Sequence, residues 1–254
     1  MGIQSTALYL MSSMGDIERA DEAVFADPGA EHPETYNLIN FILDWQKKND
    51  GIPLHIIKKS LKDDILKGEN STGQKFATIP AFTKTKTGGA ILRRQCTREY
   101  KIYPVVAKIR EIYGIKKHKR MPMTELWLGI STDEASRMKD SRLPRIVNRY
   151  PLVEERLSRS DCSRWIKKNN FPVPVKSSCV FCPYQGDSQW KNLKEKYPES
   201  FELASKIDDA IRHVSSRRER QPIYLHRQLK PLREIDFNSQ QDLFDEECEG
   251  YCGL

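Results

Sequence analysis

Apolar runs of strand length alternate with amphipathic helical patterns from Ala23 to Ile130, and this alternation fixes the class of fold to expect. Ala23-Val24-Phe25-Ala26-Asp27 is a buried-strand pattern that ends on a carboxylate and runs into Pro28-Gly29. Pro33 to Gln46 follows, with Tyr36, Ile39, Ile42, Leu43 and Trp45 at helical spacing, and Pro53 to Ile57 reads as a second strand. Arg98 to Tyr113 is again helical, with Val105, Ile109 and Ile112 on one face. Glu125 to Ile130 is a further strand that enters the loop Ser131-Thr132-Asp133-Glu134. Strands joined through helices pair in parallel and are covered by those helices on both faces. The sequence therefore predicts an α/β fold with an open, mostly parallel sheet. In such sheets ligands bind outside the carboxyl ends of the strands, which makes Asp27 and the 131–134 loop site candidates. A plainer role for Asp27 is to cap the turn that follows it.

The rhythm is interrupted twice. Lys62 to Gly89 lacks periodicity and reads as a mobile insertion able to close over a substrate. From about Tyr150 onward the strand-helix alternation stops, Pro172 and Pro174 lead into a cysteine segment, and Trp190 to Val214 reads as helices. The expected organisation is an α/β domain over 1–150 and a helical, cysteine-containing extension over 151–254, with no internal repeat.

Hydrophobic residues at 38% supply a core, and charged residues at 30% supply a solvated surface. No apolar run approaches the roughly 20 residues that span a bilayer, and Met1 to Met14 lacks the basic lead of a signal peptide. The expected compartment is the cytoplasm, with no membrane partner. The net charge of +7 favours polyanions. Lys116-Lys117-His118-Lys119-Arg120 and Arg217, Arg218 and Arg220 are the densest basic stretches, readable as solvated loops or as a surface for tRNA or DNA.

Six cysteines in a chain of this compartment point to metal or redox chemistry and away from disulfides. Cys179-Val180-Phe181-Cys182-Pro183 can present two sulfurs to one metal from a tight turn, and zinc, iron–sulfur and dithiol chemistry all satisfy it. Further ligands are sought in Cys96 and Cys162, with Cys248 in reserve. Arg93, Arg94, Arg98 and Lys101 surround Cys96 and would hold a thiolate or reach a phosphate or sulfate. At the start, Ser5 or Thr6 is expected to cap a helix beginning at Ala7, whose first amides favour a phosphate.

Taken jointly, these segments resemble the PAPS-reductase-like branch of the PP-loop superfamily (adenine nucleotide alpha-hydrolase-like). Gly2-Ile3-Gln4-Ser5-Thr6-Ala7-Leu8 looks like the end of that family's phosphate loop, Ser-x-Gly-Gly-x-Gln/Asp-Ser and a helix. Phe25-Ala26-Asp27-Pro28-Gly29-Ala30-Glu31 is similar to its Phe-Ala-Asp-Thr-Gly-x-Glu. Gly129-Ile130-Ser131-Thr132-Asp133-Glu134 with Arg137 matches its later strand and loop, and Cys96 with Lys101, then Cys179 and Cys182, resemble its cysteine positions. The resemblance implies that Gly2, Gln4, Ser5 and Thr6 cradle the phosphates of ATP or PAPS, with Mg2+ compatible. It places Asp27, Gly29, Glu31, Ser131 and Asp133 near the nucleotide, and Arg98, Lys101 and Arg137 on an anionic substrate. It implies a [4Fe–4S] cluster, or zinc, on Cys96, Cys179 and Cys182. The family's first strand and its leading Ser-x-Gly have no counterpart after Met1. Its tandem cysteine is reduced to Cys96 between Gln95 and Thr97, so Cys162 is expected as fourth ligand.

Two enzymatic activities follow from the resemblance: AMP-forming activation of an acceptor linked to sulfur or nitrogen transfer, and sulfite-forming reduction of PAPS or APS with Cys252 as nucleophile. The Cys252-Gly253-Leu254 end lacks the family's preceding Glu and terminal His. A third reading is a non-catalytic nucleotide- or nucleic-acid-binding subunit. A homodimer is compatible with each.

Overall fold

The computed structural model describes residues 1–74, 79–85, 88–116, 118–213 and 221–238, and these form a mixed α/β structure. The chain divides into two compact units, each assembled from segments distant in sequence. The first takes Met1–Phe25, Pro33–Ile57 and Val105–Ser177, and the second Ala26–His32, Lys58–Pro104 and Ser178–Leu254. The expected boundary after residue 150 falls inside the first unit.

The first unit is organised around α1 (Ile3–Met14). The consecutive run Ala7-Leu8-Tyr9-Leu10-Met11 leaves this helix no solvent face, and all five residues are buried. A helix apolar all round must be covered all round. On one side Ala7, Leu8 and Met11 pack with Leu152 of α5 (Pro151–Glu154) and with Cys162 and Ile166 of α6 (Arg159–Lys168). On another, Tyr9 and Leu10 meet Leu38, Ile39 and Ile42 of α2 (Pro33–Asn49) and Ile52. Each Leu or Met so covered contributes roughly 1.5–3 kcal/mol. The Tyr9 hydroxyl donates to the Ile52 carbonyl at 2.7 Å, giving its polar end a partner. α6 is capped reciprocally: Ser158 Oγ accepts from Asp161 N–H at 3.2 Å, and the Asp161 carboxylate accepts from Ser158 N–H at 3.0 Å.

β1 (Ala23–Asp27) and β2 (Leu54–Lys58) form a two-stranded sheet. β5 (Thr124–Trp127) and β6 (Ile146–Arg149) form another, parallel, with Thr124 opposite Ile146 and Trp127 opposite Arg149. α4 (Tyr103–Ile112) covers the second through Ile109, which clusters with Met121 and Ile146.

In the second unit, α3 (Leu61–Leu66), α7 (Asp187–Lys196) and α8 (Pro198–Ile211) enclose a core that includes Leu61, Ile65, Phe181, Trp190, Leu193 and Ile207. β3 (Phe82–Thr85) runs antiparallel between β4 (Gly88–Ile91) and β7 (Ile223–Tyr224). Asp208 ties the unit's last segments to α8. Its carboxylate accepts from Leu225 N–H at 2.7 Å and Leu232 N–H at 3.0 Å and pairs with Arg212.

The α/β class is as expected, but the described strands are distributed over three small sheets, that of β3, β4 and β7 being antiparallel. Residues 62–89 are not a featureless insertion. Their described part holds most of α3, all of β3 and the first two residues of β4. Ile65, Ala81 and Thr83 are buried there, and strands this short and half-exposed carry no period to read. Among the described residues no helix is long and apolar enough to cross a membrane.

Candidate functional site

Within the first unit, the opening of α1 is built against the loop that follows β5. The helix begins at Ile3 with Gly2 as its cap, in extended conformation, and not at Ala7 as expected. Ser5 therefore sits in the first turn, where its Oγ accepts from Gly2 N–H at 3.1 Å and donates back to the Gly2 carbonyl at 3.2 Å. Helix geometry leaves the first-turn amides without partners inside the helix. Gly129 presses on this turn: a Cβ there would lie 2.8 Å from Ser5 N and 2.9 Å from Ser5 Cα, so only a glycine permits the approach.

Gln4 is 7% exposed, and its Nε2 donates to Glu134 Oε2 at 3.0 Å and to Ser131 Oγ at 3.4 Å. The other oxygen of Glu134 accepts from Arg137 Nη1 at 2.8 Å. Asp133 accepts the Arg159 N–H at 3.0 Å. Burial raises the Asp133 pKa, but the Ser131 hydroxyl, the backbone N–H donors and the Arg159 charge outweigh it, and the group is held below the usual carboxylate range. Thr6 is fully buried, and its Oγ1 has no hydrogen-bond partner among the described residues. Gly2, Gln4, Ser5, Ser131 and Arg137 are thus brought together, and Thr6 and Asp133 flank them. Gly129 and Glu134 complete the group. Both stand in the quoted loop motif, yet a contact across the fold is needed to see that one is a close-approach position and the other a bridge.

Within the second unit, the loop after β1 is fastened to the Cys-x-x-Cys turn. Asp27 is buried and its Oδ1 accepts from Gly29 N–H at 2.7 Å, the turn-capping role. Gly29 has φ +84°, and a Cβ there would meet the Lys59 carbonyl at 2.7 Å. Val180 N–H donates to the Ala30 carbonyl at 2.8 Å, and Glu31 bridges to Cys179. The Glu31 carboxylate is fully buried and faces Lys101 Nζ at 3.2 Å. Lys101 therefore balances a buried charge of its own chain. Arg98 is exposed and lies over the Tyr103 ring at 5.1 Å. Cys179 is a member of the unit's core, and Cys96 and Cys182 pack against it.

Cys162, expected as a fourth ligand, is instead a packing residue in the first unit. It is fully buried against Ala7, Leu8 and Ile166, and burial, reinforced by Asp133 and Asp161, pushes its thiol up to about 11. Among the described residues no group of three or more His, Cys, Asp or Glu side chains is arranged to hold a metal ion. Cys248, Cys252, Lys117, Arg217, Arg218 and Arg220 lie outside the described residues. Of the other basic stretch, Arg110 Nη2 binds the carbonyls of Lys116 at 2.9 Å and Lys119 at 2.8 Å, fixing that loop. A buried Asp187–His226 pair, at 2.7 Å, with Arg227 on the second Asp187 oxygen at 3.0 Å, escapes sequence reasoning. Residues so far apart in sequence form no motif.

No protein-family profile matches the chain, and no solved structure matches it. Among curated proteins it is similar to the uncharacterized nin region protein ORF290 of Escherichia phage lambda, 24% identical over 197 residues. That alignment covers 70% of this chain, which spans 62% of the phage protein's length.

Proposed function

We propose that the protein is an ATP-using enzyme of the PP-loop type that activates an acceptor by adenylation. The observation that carries the reading is the hydrogen-bonded group formed by the opening of α1, Gln4 and the loop after β5. First-turn amides offer donors to phosphate oxygens at the carboxyl end of a parallel strand. Gly129 keeps side-chain bulk away from them. Gln4, Ser131, Glu134 and Arg137 hold the turn's orientation, so that little reorganisation accompanies the build-up of charge on the α-phosphate.

In the reaction an acceptor oxygen attacks the α-phosphorus of ATP and gives up its proton to solvent. The bond from the α-phosphorus to the bridging oxygen breaks, and pyrophosphate leaves with that electron pair. A sulfur or nitrogen nucleophile then displaces AMP. The net charge of +7 makes a nucleic acid, tRNA or DNA, the acceptor class to test first.

Cys96, Cys179 and Cys182 share the core of the second unit, Cys162 packs in the first, and Cys248 and Cys252 lie outside the described residues. No step is assigned to a cluster or a zinc ion. The test is pyrophosphate release by anaerobically purified full-length protein supplied with ATP and nucleic acids or small acceptors, with iron and zinc measured on the same sample. ATP-dependent release that falls at least tenfold in Gln4→Ala is expected. Absence of release with every acceptor overturns the reading.

A further inference from the structure

The two loops that lead into β5 and β6 fasten their backbones and leave their charges unanswered. Because the strands run parallel, residues 113–123 and 141–145 both arrive at the amino ends of the pair, the edge opposite the loop that meets α1. Ile115 and Met121 of the first loop and Leu143 of the second pack in one cluster with Ile109 and Ile146. The Thr124 N–H donates to the Arg145 carbonyl at 3.0 Å, and the Thr124 hydroxyl donates to the Tyr113 hydroxyl at 3.4 Å. Arg110 Nη2 clamps the carbonyls of Lys116 at 2.9 Å and Lys119 at 2.8 Å, and Leu143 N–H donates to the Ser141 hydroxyl at 3.1 Å. His118 and Arg145 are held at φ +69° and +64°, a region that a side chain enters only where its surroundings impose it. On this fixed backbone Lys116, Lys119, Arg120, Arg142 and Arg145 are exposed, and none of their side chains has an ion pair or hydrogen bond among the described residues. Other exposed arginines do find carboxylates: Arg164 pairs with Asp161 and Arg233 with Glu202. Of the acids next to the two loops, Glu111 is taken by Lys108 at 2.6 Å, which leaves Asp140. Like charges gathered without counter-charges repel one another and are relieved by a polyanion. Tyr113 stands at the same edge, 47% exposed.

We propose that this edge of the β5–β6 pair binds a single strand of nucleic acid, with the five cations on its phosphates and Tyr113 against a base. Cations alone would serve any polyanion. A protruding aromatic ring among them suits a polyanion whose bases are unstacked and free to lie on it, which a duplex does not offer. Moored loops fit the same partner, since little backbone order is lost when it binds. The surface lies at the far end of β5 from the opening of α1 and needs no ATP. It therefore goes beyond the adenylation reading, and the two can fail separately.

The experiment titrates full-length protein, without ATP and over a range of salt, into labelled single-stranded DNA and single-stranded RNA of mixed sequence. Duplex DNA and phosphatidylserine vesicles form two further arms. Wild type binds a single strand more tightly than duplex or vesicles. The triple variant Lys119→Gln, Arg120→Gln, Arg142→Gln weakens that binding about tenfold and makes its logarithmic salt dependence shallower by about 2, the share of three phosphate contacts. A charge-matched control on exposed lysines elsewhere in the unit, Lys47→Gln, Lys48→Gln, Lys168→Gln, keeps both the affinity and the salt dependence. Tyr113→Leu weakens binding severalfold with the salt dependence unchanged, because a base contact and no charge is lost. Thermal midpoints of the two triple variants match wild type, since the replaced side chains hold nothing in place. The proposal is overturned if wild type binds neither single strand, if duplex or vesicles bind more tightly, if the loop variant is no weaker than its charge-matched control, or if Tyr113→Leu binds as wild type does.

Discussion

The two units bury different kinds of polar group. In the first, the buried polar side chains among the described residues are Gln4, Thr6, Ser12, Ser13, Thr35 and Ser131, all neutral. In the second they include Asp27, Glu31, Asp187, Asp208 and His226. The second unit supplies counter-charges of its own: Lys101 for Glu31, Arg227 for Asp187, Arg212 for Asp208. A neutral interior costs less to desolvate and suits a surface that takes its charge from a ligand. Internal ion pairs fix geometry, but leave a damaging charge behind when either partner is removed.

The sharpest way to break this contrast is Asp208→Ala. Arg212 and two backbone N–H groups lose their acceptor, and a loss of roughly 3–5 kcal/mol is expected in urea unfolding. A loss below 1 kcal/mol would mean that the second unit does not rely on its internal ions. Next in size is Gly129→Ala, whose methyl would collide with backbone at Ser5. It should lower stability by roughly 1–3 kcal/mol and weaken ATP binding in equilibrium titration. Unchanged affinity would detach the turn from ligand binding. Gln4→Ala, which removes the donor to Glu134 and Ser131, should destabilise by about 1–2 kcal/mol in the same unfolding assay.

The smallest effect is a pH slope. Burial lowers the His226 pKa and outweighs Asp187, which raises it. The Gln228 N–H donates to Nδ1 at 3.3 Å, which fits a neutral ring with its proton on the Nε2 that faces Asp187. Close pairing with Asp187 alone would suggest a charged imidazole, but the acceptor role of Nδ1 decides for the neutral form. As pH falls through the ordinary imidazole value of about 6.5, the unfolded chain takes up the proton first. This contribution is present above that pH and is lost below it, until the folded imidazole also titrates. Unfolding midpoints taken from about pH 8 to about pH 5 should decline, and His226→Gln should flatten the decline. An equal slope in both proteins would assign it to other groups.

Legibility in the sequence followed the range of the interactions. β1 was readable to its last residue, and α2 to within its final turn, because apolar spacing and the Pro28-Gly29 stop are local signals. The segments at Gly2–Thr6 and Gly129–Arg137 were readable as candidates from their residues, while Gly129 against Ser5 and Gln4 on Glu134 exist only once the chain is folded. The cap at α1 was misread because Ser5 has the stronger intrinsic preference, yet the burial of the helix from Gln4 onward draws its start back to Ile3. Cys162 was misread for a similar reason. A cysteine in a polar-looking segment resembles a ligand until its helix turns it inward. β3, β4 and β7 pair through backbone, which composition does not report.

The segment after Cys96 carries one further consequence. Arg98–Ile102 is wound as a π-helix, a turn wider than the α form by a single residue. Within it the Tyr100 hydroxyl donates to Asp64 at 2.6 Å while the adjacent Lys101 reaches Glu31, so consecutive side chains both find carboxylates. One residue fewer would rotate everything past the deletion by about 100° and release one of the two moorings. The wide turn therefore acts as a phase lock on chain length. A one-residue gap or insertion between Cys96 and Pro104 would throw the cysteine-bearing stretch out of step with its anchors.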